Sequence, residues 1–218
     1  AVQIHDIDGD GRLEAAAAWD GEIQVLDGAT GQTKYAAPLP AMKPISDDFK
    51  GSVNHWGGGY NDEGPTVTPS SICFADLSGR GTPRDVLLAD NYHTLVAMSP
   101  EFKELWRTVC SHGHFAQAYD FDGDGRESVL AGYQHLSPEG ELIGRVCLTD
   151  HQDAIYAGPL DTEGRGPAKI LMAGGEEGLE LAISEFIQEE IDVSRAHLFM
   201  SIRDLVIIRQ TQLEATSQ

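Results

Sequence analysis

Two segments of the chain place aspartates at alternate positions of a glycine-containing loop. Residues 6–11 and 120–125 both follow the pattern Asp-x-Asp-Gly-Asp-Gly. Ca²⁺ takes several oxygen ligands and is commonly wrapped by carboxylates at such alternate positions, with a glycine permitting the sharp turn. Carboxylates held this close repel one another unless a cation lies between them. The spacing therefore predicts two calcium sites.

The predicted ligands are carboxylate and main-chain oxygens from each segment. They are the carboxylates of Asp6, Asp8, Asp10 and Glu14 with the carbonyl of Arg12, and the carboxylates of Asp120, Asp122 and Asp124 with the carbonyl of Arg126. The second segment carries Ser128 where the first carries Glu14. It therefore has one carboxylate fewer, and weaker binding is predicted there.

The same loop pattern occurs four times, and we number the loops by their first residues. Loop 1 begins at Asp6, loop 2 at Asp76, loop 3 at Asp120 and loop 4 at Asp161. Loops 2 and 4 carry Arg80 and Arg165 where loops 1 and 3 carry an aspartate. A guanidinium group cannot bind a cation but can neutralise the loop acids itself. We therefore predict that Arg80 pairs with Asp76, and Arg165 with Asp161 or Glu163, in place of a metal.

The elements that position these loops are short strands. Apolar runs of about five residues flank each loop and are separated by Gly, Pro, Asp and Ser, which is typical of antiparallel hairpins. Loops 2, 3 and 4 follow one another at intervals of 44 and 41 residues, and repeats of ~40–50 residues are typical of β-propeller blades. The run Ala15–Ala18 is predicted to be a strand despite its helix propensity, because of its place in the repeat. Trp19 and Trp106 are predicted to pack in the core.

The predicted fold is an all-β, incomplete β-propeller of about four to five blades, forming a single partial domain over residues 1–218. The blade-like repeats cover about residues 1–36, 70–109, 112–148, 151–192 and, in part, 195–214. The longer first interval predicts an insertion at residues 37–69. No signal peptide is visible, and the repeat count predicts that missing blades or a partner chain complete the propeller.

The charge excludes several function classes. The formal net charge is -20, from 35 acidic and 15 basic residues, which disfavours binding to nucleic acids and to anionic membranes. No apolar run approaches the roughly 20 residues of a membrane span. The sequence also lacks a phosphate-binding loop with lysine, a Gly-x-Ser-x-Gly elbow and a His-Glu-x-x-His zinc motif.

The loops resemble the FG-GAP/VCBS-type calcium-binding propeller repeat, through residues 6–14 and 119–126. The segments His112-Gly-His114 and Asp150-His-Gln-Asp153 are similar to those of rhamnogalacturonan lyases and related polysaccharide lyases. This resemblance implies a calcium-stabilised propeller that is extracellular or periplasmic and acts on an acidic polysaccharide by β-elimination. The repeat also occurs in adhesive proteins, so a non-catalytic module that binds carbohydrate or protein is the alternative.

Several side chains are candidates for such chemistry. Elimination from a uronate needs a base for the C5 proton and a positive group that neutralises the carboxylate. His114 and His151 precede strands at equivalent places in successive repeats, so we predict them as bases. His112, Trp56 and Tyr60 are the predicted substrate-binding residues, the two aromatics by stacking on sugar rings.

Overall fold

The computed structural model describes residues 1–41, 43, 66–90, 92–132, 134–145, 152–159, 168–174 and 180–185. These residues form fifteen strands, which confirms the all-β prediction for the part of the chain described. The strands are β1 Val2–His5, β2 Glu14–Trp19, β3 Glu22–Asp27, β4 Thr33–Pro38, β5 Ser71–Ala75, β6 Asp85–Ala89, β7 Tyr92–Met98, β8 Glu104–Gly113, β9 Ala116–Tyr119, β10 Ser128–Ala131, β11 Gln134–Leu136, β12 Leu142–Arg145, β13 Gln152–Pro159, β14 Ala168–Gly174 and β15 Glu180–Glu185. Across these ranges the structure has no helix long and apolar enough to cross a membrane.

The strands form four sheets in chain order. Sheet 1 contains β1–β4, sheet 2 contains β5–β8 and sheet 3 contains β9–β12, while sheet 4 has three described strands, β13–β15. Every paired strand is antiparallel to its neighbour along the chain. Each numbered loop therefore connects the first strand of a sheet to the second.

The alanine run illustrates how tertiary structure overrides local propensity. Residues 15–18 lie within β2, as predicted, where they pair with both β1 and β3. Trp106 is partly buried between sheets 2 and 3, and its indole N–H donates to the Pro138 carbonyl at 2.8 Å. The predicted core position of Trp19 is wrong, because its side chain is 73% exposed at the end of β2. Trp19 lies on the same face of sheet 1 as Val2, which is also exposed.

Consecutive sheets pack face to face. One apolar cluster joins sheets 1 and 2 through side chains such as Ile23 and Leu88, and a second joins sheets 2 and 3 through Leu87 and Val129. A third cluster, which includes Leu130, Ala157 and Ile170, joins sheet 3 to sheet 4. Alternation of inward side chains along each strand supplies both faces of the inner sheets. This stacking places the loops of neighbouring sheets side by side.

Two arginines link neighbouring loops, one between loops 2 and 1 and one between loops 3 and 2. The Arg84 Nε donates to the Ile7 carbonyl of loop 1 at 2.9 Å. In the next pair of sheets, the Arg126 Nε donates to the Leu77 carbonyl of loop 2, also at 2.9 Å. The repeated link fixes the loops relative to one another and to the sheets that carry them.

Candidate metal centre

Loops 1 and 3 share one pattern of internal hydrogen bonds. In loop 3 both carboxylate oxygens of Asp120 accept main-chain N–H groups, from Gly123 at 2.8 Å and from Gly125 at 3.0 Å. Asp6 accepts the N–H groups of the two loop 1 glycines at the same two distances. The Arg126 N–H donates to Asp124, as the Arg12 N–H does to Asp10. The common sequence pattern therefore produces a common loop conformation.

The glycines are required by this conformation. Gly123 and Gly125 have φ angles of 74° and 88°, a left-handed region that side chains with a Cβ rarely adopt. The equivalent glycines of loop 1 have φ angles of 78° and 84°. The turn folds the aspartates back toward one another, as a wrapped cation requires.

Loop 3 groups three carboxylates that could hold a metal ion. Oxygens of Asp120, Asp122 and Asp124 all lie within 4.8 Å of one another. Asp122 and Asp124 are exposed, so an ion can reach them from solvent. Among the described residues, no Lys or Arg forms an ion pair with any of the three carboxylates. These residues fit a hard cation, and the Arg126 carbonyl stays a predicted further ligand.

Ser128, which stands where loop 1 has Glu14, does not contribute to this cluster of carboxylates. Its hydroxyl is buried and lies 2.7 Å from the Nε2 atom of His135 and 3.4 Å from the Tyr119 carbonyl. Burial lowers the pKa of His135 to about 4, so the imidazole is neutral near pH 7. The first residue of β10 therefore belongs to a neutral pair within sheet 3.

Loop 1 has the same shape but already contains a cation. Oxygens of Asp6, Asp8 and Glu14 lie within 4.8 Å of one another. The Lys34 ammonium, from β4, lies 2.6 Å from Asp8 and 2.9 Å from Glu14. It is also 3.9 Å from Asp10. A lysine side chain of the protein thus pairs with acids of loop 1, whereas no lysine or arginine among the described residues pairs with the three aspartates of loop 3.

The pKa shifts in loop 1 agree with this geometry. The hydrogen bonds that the Lys34 ammonium donates to Asp8 and Glu14 raise the pKa of Lys34 well above its usual value. The same lysine lowers the pKa of Asp8. Glu14 is 1% exposed and also accepts the Ile7 N–H at 3.0 Å. The arrangement favours a charged ammonium beside a buried carboxylate.

Loop 2 also contains its own cation, but the predicted partner is wrong. The Arg80 guanidinium donates to Asp85 at 2.8 Å rather than to Asp76. Asp76 instead accepts the main-chain N–H groups of Arg80 and Gly81, at 2.7 and 2.6 Å. Asp85 is fully buried and also accepts both donors of Ser78. The buried acid at the start of the second strand attracts the guanidinium because its charge has no access to water.

The predicted catalytic and substrate-binding residues fall largely outside the described structure. His114 is partly buried between β8 and β9, with its ring 6.3 Å from that of Phe115. The backbone of His112 lies in β8, but its side chain is outside the described set. Trp56, Tyr60 and His151 also lie outside the described residues, as does loop 4 with its predicted Arg165 pair.

Three important polar residues were missed by sequence reasoning. Lys34 lies 20 residues from Glu14 in sequence, and only the register of β2, β3 and β4 brings them together. Asp85 pairs with the last residue of β5, just as Glu14 pairs with the last residue of β1. Loop 2 is one residue longer than loop 1, so this equivalence is not visible in the sequence. His135 lies between Gln134 and Leu136, and nothing in this local sequence indicates its contact with β10.

Comparisons with known proteins show the fold of the chain alone. No protein-family model and no curated protein matches it. The biofilm matrix protein Bap1 of V. cholerae superimposes with a TM-score of 0.58 and 21% identity, covering 85% of this chain and 26% of Bap1. The rhamnogalacturonan lyase YesW gives a TM-score of 0.57 and 20% identity, covering 84% of this chain and 37% of YesW. The rhamnogalacturonan lyase PL11 of Bacillus licheniformis gives 0.54 and 19%, with coverage of 84% and 37%. The chain thus spans roughly a quarter to somewhat over a third of these three proteins.

Proposed function

We propose that the chain is a calcium-stabilised section of a β-propeller in an extracellular or periplasmic protein that processes polysaccharide. The main support is the acidic cluster of loop 3, whose three aspartates form no ion pair with a lysine or arginine among the described residues. The propeller assignment is supported by consecutive antiparallel sheets that stack face to face, each with an equivalent loop after its first strand. The FG-GAP/VCBS-type repeat is the sequence pattern that agrees with this arrangement.

The proposed calcium site uses Asp120, Asp122 and Asp124, with the carbonyl of Arg126. A bound ion would place positive charge among these carboxylates and fix the turn that connects β9 to β10. With three carboxylates and two of them exposed, we expect a dissociation constant on the order of 10⁻⁴ M, the range of extracellular modules. Calcium at about fifty times that value would stabilise the fold by about 2 kcal/mol through mass action.

This metal site is tested by calcium titration calorimetry and thermal unfolding. We expect Asp122→Asn to abolish binding at loop 3 and the calcium-dependent rise in Tm. The matched control is Asp20→Asn, which changes an exposed acid in the β2–β3 turn and leaves both readouts unchanged. Equal calcium stabilisation of the Asp122→Asn and wild-type proteins would contradict the assignment.

The proposed activity is β-elimination on an acidic glycan, with His114 or His151 as the base. It is supported by the fold likeness to two rhamnogalacturonan lyases and by the histidine spacing in the sequence. The net charge of -20 repels an acidic substrate, so a cation that bridges protein and uronate is part of the proposal. Trp56, Tyr60 and His112 are the proposed substrate-binding residues.

The lyase activity is tested with rhamnogalacturonan and other uronate polysaccharides. Elimination creates an unsaturated uronate, so product formation is followed by its ultraviolet absorbance, with calcium and with EDTA. We expect His114→Asn or His151→Asn to remove the activity. Absence of product from every uronate polysaccharide, with calcium present, would refute the lyase proposal.

A non-catalytic binding module is the second candidate. The fold likeness to Bap1, a biofilm matrix protein, favours it, since one fold hosts both matrix proteins and enzymes. In this case the propeller displays loops that bind carbohydrate or protein, and missing blades or a partner chain complete it. Calcium-dependent retention on a polysaccharide column without product formation would distinguish this function from the lyase.

A further inference from the structure

The Lys34 side chain lies where the sequence pattern of loop 1 calls for a metal. Its ammonium approaches Asp8, Glu14 and Asp10 at 2.6, 2.9 and 3.9 Å. These three carboxylates are predicted calcium ligands. The ammonium is hydrogen-bonded to Asp8 and Glu14, two of the three residues whose oxygens cluster in loop 1. The lysine comes from β4, which is hydrogen-bonded into sheet 1 along most of its length. It is therefore part of the folded sheet and not a distant surface residue.

Burial of Glu14 explains why loop 1 needs a permanent cation. A carboxylate removed from water is strongly destabilising unless a positive group or several hydrogen bonds compensate its charge. Glu14 is 1% exposed, and its described partners are the Ile7 N–H and the Lys34 ammonium. A metal that left loop 1 when calcium was scarce would leave this charge uncompensated. A lysine cannot dissociate.

The other two loops that the structure describes, loops 2 and 3, follow the same rule. Loop 2 has a buried acid at the start of its second strand, Asp85, and a tethered cation, Arg80, bonded to it at 2.8 Å. Loop 3 has the neutral Ser128 at the start of its second strand, hydrogen-bonded to a neutral His135. Within the described residues, loop 3 has no side-chain cation on its aspartates. A lysine or arginine thus pairs with the loop where the following strand begins with a buried acid, as in loops 1 and 2. In loop 3, where the following strand begins with a neutral serine, no such pair is present among the described residues.

We propose that Lys34 is the built-in cation of loop 1 and replaces the calcium ion that the Asp-x-Asp-Gly-Asp-Gly pattern predicts there. Loop 1 is then a calcium-independent form of the same loop, although it has more carboxylates than loop 3. Lys34 and Arg80 are two different solutions to one electrostatic requirement. Loop 3 then has the higher calcium affinity, opposite to the order that the sequence predicts. This proposal depends on the proposed function only for the presence of calcium in loop 3.

The central experiment compares calcium binding by wild-type protein and by Asp8→Asn and Asp122→Asn variants, using calorimetry. We expect wild type and Asp8→Asn to bind calcium alike, because Asp8 is bonded to Lys34 and holds no metal. We expect Asp122→Asn to lose binding at loop 3. Loss of a calcium ion in Asp8→Asn would show that loop 1 holds a metal and would overturn the inference. Absence of any calcium binding by the wild-type protein would refute the loop 3 site while leaving the inference about loop 1 intact.

Removing the lysine provides the converse test. Lys34→Met frees the oxygens of Asp8, Asp10 and Glu14, so we expect one additional calcium ion per chain. We also expect a larger calcium-induced rise in Tm than in wild type. The matched control Lys43→Met removes an exposed lysine that pairs with Glu104 at 3.4 Å, and it should gain no ion. If Lys34→Met folds and binds no more calcium than wild type, Lys34 is not occupying a metal position. Should this variant not fold, the Asp8→Asn comparison still decides the question.

Discussion

His135 is expected to make the fold sensitive to acid. Its side chain is 4% exposed on β11, bonded to the Ser128 hydroxyl and in edge contact with Phe121 at a centroid distance of 5.2 Å. Burial lowers its pKa from an ordinary value of 6.5 to about 4. Protonation in the folded state would place a positive charge in the core of sheet 3, which the surrounding apolar side chains disfavour.

The sign and size of the effect follow from linkage. The folded pKa lies below the unfolded one, so the unfolded chain binds the proton first as the pH falls. Above the unfolded pKa of 6.5 the group costs nothing, and between 6.5 and 4 stability falls progressively. At 1.36 kcal/mol per pKa unit, the loss between pH 7 and pH 4.5 is about 2.5 kcal/mol. Below pH 4 both states are protonated, and the contribution of His135 no longer changes.

The measurement is urea unfolding of wild type and His135→Gln at several pH values from 7 to 4.5, with a chelator present. Glutamine keeps an amide that can bond Ser128 but does not titrate in this range, so acids elsewhere affect both proteins equally. We expect the free energy of unfolding of wild type to fall by about 2.5 kcal/mol more than that of the variant. Parallel pH profiles for the two proteins would refute the argument, since they would show that His135 titrates alike in the folded and unfolded states.

Two further predictions concern the arginines. Arg80→Met should lower the free energy of unfolding by about 2–3 kcal/mol, because it leaves the buried Asp85 carboxylate without its cation. We expect a smaller loss than for a fully buried ion pair, because the Arg80 side chain is partly exposed. The control Lys43→Met removes one member of an exposed ion pair and should change the free energy of unfolding by less than about 0.5 kcal/mol. Similar losses for Arg80→Met and Lys43→Met in chemical denaturation would contradict the argument. Arg84→Met should lower the free energy of unfolding by about 1–2 kcal/mol, because it removes the hydrogen bond to the Ile7 carbonyl of loop 1. The control Arg12→Met changes an exposed arginine of loop 1 and should leave the free energy of unfolding unchanged. Equal effects at Arg84 and Arg12 would show that the link between loops contributes nothing.

Local features of this chain could be predicted from sequence because they are determined by local interactions. The loop conformation follows from aspartates that bond their own nearby N–H groups and from glycines that accept positive φ angles. The strands follow from short apolar runs between turn residues, and β2 is a strand because it pairs on both sides. Repetition of the loop then predicted repeated antiparallel units.

Contacts across the sheets could not be predicted in the same way. Whether Lys34 reaches Glu14 depends on two hairpin registers and on an irregularity between Val25 and Leu26. A shift of one residue would place the lysine on the opposite face. Trp19 looked like a core residue because tryptophan usually is one, yet its exposure depends on which face of sheet 1 has a neighbour. The choice of Asp85 over Asp76 by Arg80 depended on burial, which the loop sequence alone does not reveal.

The first residue of each second strand accounts for the differences among the described loops. Glu14 and Asp85 are buried acids, and in both cases a long basic side chain supplies the positive charge from within the protein. Ser128 occupies the same place in sheet 3 without a charge. Its loop therefore has no acid at this strand position that must be compensated at all times, which agrees with the proposal that its exposed aspartates bind calcium reversibly. Under the proposed assignment of calcium to loop 3 and of Lys34 to loop 1, the number of aspartates would not set the metal affinity of a loop, because the carboxylates of the most acidic loop are already bonded to a lysine.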